Sequence, residues 1–315
     1  MKRYMILLTA WLLCCAVQPL MNAMAEEARM ETYTLDQHGP VYAYLPEGLE
    51  EGKRYPLVIA LNCTTGDPQG EVTGNGWDAV VRQDDVIVVA PTYNDYATWS
   101  ETGYIKSVID DAVSRYPVDS GRIYATGFSN GGALSGALAA TYPDLLAGIS
   151  AMGWMIPLRK MGSHSRLPFL LIQGTDEFTR WERTLRQTTS GSMAVMEDEE
   201  GALNDLFARN GLFSGEQTPD YDQTSYWGYP ADEILVEYPD YRDIFSHAAH
   251  SGDVKWEISR YHHPDYSQPL AELILVEGAD HIPHSCNARY AWDFLRHFAR
   301  AEDGTIVEVD VDREE

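Results

Sequence analysis

Five short apolar runs constrain this chain more than any other feature. They are "YPLVIALN" (55–62), "DVIVVAP" (85–91), "RIYATG" (122–127), "PFLLIQG" (168–174) and "AELILVEG" (271–278). Runs of this length, with little alternation of polar and apolar residues, are expected of strands buried on both faces. "LAGISAMG" (146–153) reads as a further strand, and "VYAYLPE" (41–47) as an edge strand closed by Pro46. Between them lie helical patterns: "NGWDAVVRQ", "ETGYIKSVIDDAVSRY" with Ile105, Val108, Ile109 and Ala112 at helical spacing, and "NGGALSGALAATYP". Strands alternating with helices predict an α/β fold: a mostly parallel, doubly wound sheet with helices on both faces.

The alternation breaks from Arg180 to about Gln268, where acidic and turn-rich text such as "MEDEEG" and "SGEQTPDYDQTSYWGYPADE" takes over. This reads as a long insertion (about 180–268) within one domain of 26–300, with a helix over "GALNDLFARNG". "ARYAWDFLRHFAR" reads as a closing helix, and residues 301–315 as an acidic, partly disordered tail. At the other end, Lys2 and Arg3 precede "MILLTAWLLCCAV", and Ala23-x-Ala25 offers a cleavage site. That pattern predicts a signal peptide (1–25) and a secreted or periplasmic product. Cys14-Cys15 hints at lipidation, but Leu13 suits that poorly. No later stretch is apolar enough to span a bilayer. A net charge of −25 argues against nucleic acid or anionic lipid as a partner.

"RIYATGFSNGGALSG" sets Gly127-x-Ser129-x-Gly131 where a strand becomes a small-residue helix. Such an elbow exposes a strained serine above the sheet and aims helix amides at a developing oxyanion. No Gly-Lys-[Ser/Thr] follows, so a phosphate-binding loop is disfavoured. The serine needs a base, and the base an orienting carboxylate, on loops after later strands. "PFLLIQGTDEF" supplies Asp176 and Glu177; "ELILVEGADHIPH" supplies His281. His284, His247, His250, His262 and His263 are rivals for the base. His247-x-x-His250 and His281-x-x-His284 have metal-ligand spacing but no third clustered ligand, so no metal is expected.

With these residues assembled, the chain resembles the secreted α/β-hydrolase esterases of the poly(3-hydroxybutyrate) depolymerase and feruloyl/acetylxylan esterase group. The matching text is "YPLVIALNCTTG", "GWDAVVRQDDVIVVAP", "YPVDSGRIYATGFSNGGALSGALAATYPDLLAGISAMGW", "LLIQGTDE" and "GADH". It covers roughly residues 40–178, then only the last strand, the histidine and the closing helix. The resemblance implies an α/β-hydrolase fold and a serine esterase with catalytic Ser129, His281 and Glu177 or Asp176. It places the oxyanion amides at Asn130 and Thr64, with Cys63 a neighbouring candidate, and implies no cofactor. Strict register favours Glu177 over Asp176; if both are structural, an insertion carboxylate such as Asp265 takes the role. The family's Leu-His-Gly is replaced here by Leu61-Asn62-Cys63. Cys63 and Cys286 are both expected at the site's rim, as a bridge or as two thiols. Trp181, Tyr226 and Trp227 head a set of insertion aromatics, with Tyr221, Tyr229, Tyr238, Tyr241 and Trp256, that could bind substrate or form the insertion's own core. Feruloyl or acetyl esters of plant polysaccharide are the preferred substrate class, and polyhydroxyalkanoate the alternative. A prolyl-oligopeptidase-like peptidase and a silent carbohydrate-binding relative are the readings from other classes.

Overall fold

The structure, a computed structural model, describes residues 28–94, 98–153, 165–177, 197–213, 220 and 228–311. The expected signal peptide lies outside them. A ten-stranded sheet runs β1-β2-β4-β3-β5-β6-β7-β12-β11-β8. Its middle is β4 (Ile87–Pro91), β3 (Tyr55–Leu61), β5 (Val118–Phe128), β6 (Gly148–Met152), β7 (Phe169–Gly174) and β12 (Ala271–Val276), paired in parallel throughout. These are the apolar runs of the sequence. In β3, Leu57, Ile59 and Leu61 face one core, while Val58 and Ala60 face the other.

The first core holds Ile105, Val108 and Ile109 of α3 (Thr98–Arg115) and Leu134, Ala137 and Leu138 of α4 (Asn130–Thr141). Leu203, Leu206 and Phe207 of α5 (Glu197–Asn210) complete it. The second holds Val72 of α1 (Pro68–Asn75), Trp77, Val80 and Val81 of α2 (Trp77–Gln83), and Trp292 and Leu295 of α6 (Asn287–Leu295). Helices thus cover both faces, as parallel strands require.

The margins depart from expectation. "VYAYL" is β2 (Pro40–Leu45), one place in from the rim; the edge is β1 (Arg29–Thr34), antiparallel to it and largely exposed. At the far side, the insertion contributes β8 (Glu233–Glu237) and β11 (Trp256–Tyr261), which extend the sheet antiparallel beyond β12. Their charged and polar residues, Glu257 and Arg260 among them, lie on strands less fully buried than the central ones. A hairpin of β9 (Asp240–Arg242) and β10 (Ala249–Ser251) projects from the same segment. Within the acidic tail, β14 (Ile306–Glu308) pairs with β13 (Phe298–Arg300), burying Ile306; residues 312–315 lie outside the described ones. Arg300 fixes that corner by donating to Leu146 O through Nε and Nη2, at 2.8 and 2.6 Å.

Candidate active site

β5 ends at Phe128, and α4 begins one residue later at Asn130. Ser129 lies between them at φ 55° and ψ −115°, a backbone conformation rare for a residue with a side chain. Strain of this kind costs about 1–3 kcal/mol and persists only where packing enforces it. Two close approaches do so here. A Cβ on Gly131 would lie 1.9 Å from Leu61 O, and one on Gly127 would lie 2.4 Å from the same atom. The elbow is therefore pressed against the end of β3, which continues into the loop of Asn62, Cys63 and Thr64. Asn62 Nδ2 donates to Cys63 O at 2.9 Å, Gly66 N donates to Cys63 O at 2.9 Å, and Thr65 takes φ 63°. The three backbone positions expected to stabilise an oxyanion, Asn130, Thr64 and Cys63, thus belong to two segments in direct contact.

The candidate acid and base come from loops after adjacent parallel strands, and those loops are laced together. Thr175 N donates to Val276 O at 3.0 Å, Asp176 N to Ala279 O at 2.8 Å, and Gly278 N to Thr175 Oγ1 at 2.8 Å. This lacing brings Glu177 to His281 across 104 residues of sequence. His281 Nε2 lies 2.8 Å from Ser129 Oγ, and His281 Nδ1 lies 2.9 Å from Glu177 Oε2. Glu177 Oε1 accepts from Gly174 N at 2.7 Å, so both carboxylate oxygens are engaged. Burial pushes the Glu177 carboxyl up; the His281 contact and the Gly174 N–H oppose it, and nearby Asp280 adds to the rise.

For Asp176, weighed as the alternative acid, the contact seen is within its own turn. Its Oδ1 accepts from Thr175 Oγ1 at 3.0 Å, whereas Glu177 Oε2 lies against the His281 Nδ1. Asp265 is also elsewhere, 3.7 Å from Arg166 Nη2. Cys63 and Cys286 are not joined by a disulfide, so the bridge is not formed. Burial pushes the Cys286 thiol up to about 12.

Gly153 and Phe128 shape the site without having been singled out in the sequence. Gly153, at φ 72°, ends β6; a Cβ there would fall 2.8 Å from His281 Cε1 and 2.9 Å from Phe128 Cε2. Phe128 lays its ring against the imidazole, centroids 4.6 Å apart. Beyond it stands Phe245, 6.2 Å from Phe128 and 59% exposed at the tip of the β9–β10 hairpin.

That tip is anchored to the histidine loop. Asp243 pairs with His284 as an isolated bridge, Ile244 N donates to Pro283 O at 3.0 Å, and Arg242 N donates to Ser285 Oγ at 2.9 Å. Asp243 lies 3.2 Å from His284 Nδ1 and 3.3 Å from His250 Nε2. Two of the rivals for the base, His284 and His250, thus brace the hairpin instead, while His262 and His263 lie by Asp232 and Arg166; burial lowers His284 to about 4. Among the described residues, no three His, Cys, Asp or Glu side chains cluster as a metal site would require. Trp181, Tyr226 and Trp227, with Tyr221, fall outside the described residues. Of the other insertion aromatics, Tyr229, Tyr241 and Trp256 are buried packing residues, while Tyr238 is exposed.

Comparison with known proteins places the chain among esterase-like relatives. Residues 92–181 match the Phospholipase/Carboxylesterase family. Poly(3-hydroxyalkanoate) depolymerase C of Paucimonas lemoignei is 30% identical over 125 residues, 34% of this chain and 29% of that protein. Acetylxylan esterase A of Emericella nidulans is 27% identical over 127 residues, 36% and 41% of the two. The chain therefore spans less than half the length of these curated relatives. The solved structure of an acetyl xylan esterase from Aspergillus awamori superposes with a TM-score of 0.55 at 16% identity, over 85% of this chain and 98% of that one. The fold is that of an α/β-hydrolase.

Proposed function

We propose that the chain is a serine carboxylic-ester hydrolase working through an acyl-enzyme. The observation that carries this is the continuous contact from Ser129 Oγ through His281 to Glu177 Oε2, at 2.8 and 2.9 Å. In this reading Ser129 attacks the ester carbonyl while His281 Nε2 takes its proton. Glu177 keeps the Nδ1 proton in place and stabilises the imidazolium that forms. The amides of Asn130 and Thr64 receive the oxyanion, each such donor being worth about 3–4 kcal/mol. His281 then protonates the leaving alcohol, and water repeats the sequence on the acyl-serine, releasing the acid. No step calls for a metal or organic cofactor.

The substrate proposed is an acetyl or feruloyl ester on plant polysaccharide, outside the cytoplasm once residues 1–25 are removed. The acetylxylan esterase relatives and the open aromatic face at Phe245 support it. The polyhydroxyalkanoate depolymerase relative supports the second reading, a polyester hydrolase. The test is a panel of acetylated xylan, methyl ferulate, poly(3-hydroxybutyrate) and p-nitrophenyl acetate, run with wild type and Ser129→Ala. Turnover of either polysaccharide-type ester, abolished in the variant, supports the first reading. Turnover of the polyester alone transfers the proposal to the second. Turnover of none, or turnover undiminished in Ser129→Ala, ends it.

A further inference from the structure

We propose that Asn62 and Tyr93 are positioning residues for hydrolysis: together they aim the Thr64 N–H, the oxyanion donor of the β3 exit loop. The inference deepens the esterase reading of this site and rests on it.

The loop starts against the serine elbow. A Cβ on Gly131 would lie 3.0 Å from Asn62 O as well as 1.9 Å from Leu61 O, so the first carbonyl beyond β3 sits beside the opening turn of α4. Tyr93 follows β4, the strand parallel to β3, and donates its hydroxyl to that Asn62 O at 2.6 Å. The Asn62 side chain reaches forward along the loop. Its Nδ2 donates to Cys63 O at 2.9 Å and to Gly66 O at 3.3 Å. Both partners are carbonyls, which only accept, so the nitrogen end of the side-chain amide must face them. Gly66 N donates to the same Cys63 O at 2.9 Å.

A trans peptide is planar, so its C=O and N–H point in opposite directions. Two donors on Cys63 O therefore fix the plane between Cys63 and Thr64 and turn the Thr64 N–H away from Asn62 Nδ2 and Gly66 N. The Tyr93 hydroxyl fixes the plane before it in the same way. Local preference does not supply this shape: Thr65 is β-branched and holds φ 63°, an outlier for such a residue. Asn62 Nδ2 bonds to carbonyls on either side of Thr65 and so restrains it from within. Asn62 is 4% exposed and Tyr93 8%, so water does not readily replace either donor if it is removed. An amide held toward developing negative charge acts on the transition state and not on the bound ester. Loss of aim should therefore appear in kcat and leave KM in place.

The experiment compares wild type, Asn62→Leu and Tyr93→Phe on p-nitrophenyl acetate and against a short alkyl trifluoromethyl ketone. In the ketone adduct Ser129 Oγ bonds to the carbonyl carbon, the serine proton passes to His281, and the former carbonyl oxygen carries the negative charge. Asn62→Leu keeps a branched side chain of similar size and removes the donor. Its kcat should fall about ten- to a hundredfold with KM within about twofold of wild type, and the ketone should bind more weakly by the same factor as kcat/KM. Tyr93→Phe should shift the same two quantities together by about three- to tenfold. Should Asn62→Leu fail to fold, Tyr93→Phe, which removes a single oxygen atom, decides by the same measures. Values of kcat within about twofold of wild type in the folded variants overturn the proposal, and so does a loss in kcat that ketone affinity does not follow. An active wild type with indifferent variants overturns this inference alone. A wild type inert to every ester and blind to the ketone ends the esterase reading, and this one with it.

Discussion

Gly153 and His281 are in contact: the imidazole occupies the space where a side chain at 153 would begin, 2.8 Å from His281 Cε1 to the missing Cβ. Gly153→Ala should therefore fail twice, through its left-handed φ of 72° and through displacement of the base. Since a misplacement of about 1 Å can cost about a hundredfold in rate, kcat on p-nitrophenyl acetate should drop by roughly that factor. Thermal melting will separate this loss from unfolding. Activity within about twofold of wild type, by the same steady-state kinetics, would mean that the ring does not bear on residue 153 in solution.

The two neighbouring acids make a paired comparison. Glu177→Gln should lower kcat by about 10³–10⁴-fold, as expected when an imidazole loses its orienting carboxylate. Asp176→Asn should change it by only a few-fold, because Asp176 serves its own turn through Thr175. Steady-state kinetics on one soluble ester suffices, and the reverse ranking would reassign the acid.

Phe245 should matter to large substrates more than to small ones. Removing a ring contact worth about 1 kcal/mol, Phe245→Ala should raise KM for acetylated xylan or methyl ferulate about five- to tenfold. The effect on p-nitrophenyl acetate should be smaller. Equal effects on all three would mean that the ring only supports Phe128.

His284 should make the hairpin anchorage acid-sensitive. Its buried ring is held neutral, with its proton affinity lowered from an ordinary 6.5 to about 4. The stability it confers is complete above about pH 6.5 and is lost as pH falls through about 4, because the unfolded chain takes up the proton first. Melting temperatures of wild type and His284→Asn should therefore converge between about pH 6.5 and about pH 4. A gap that stays constant across this range would remove His284 as the source.

Much of this was readable in the text, for identifiable reasons. The central strands are unbroken apolar runs, the serine sits in a spaced glycine pattern, and His281 follows a strand end. The letters do not separate Asp176 from Glu177 as the acid, because a turn's register is not fixed by sequence alone. Gly153 looks like any glycine that stops a strand; its necessity depends on Phe128 and His281, far away in sequence. β8 and β11 escaped because they carry charged residues into a sheet whose other strands are almost wholly apolar.

The lacing of the β7 and β12 exit loops has one more implication. The chain leaves β7 through Glu177 and, after a stretch that includes α5, β8 and β11, comes back as β12 one strand-spacing away, roughly 4.8 Å. The Glu177–His281 contact, on which the proposed proton relay depends, is set by that short neighbourly step and not by the length of the detour. A detour of this kind can change in sequence without moving the two exit loops so long as α5, β8 and β11 keep their places in core and sheet, so ester preference and the proposed Ser129–His281–Glu177 relay could be altered separately.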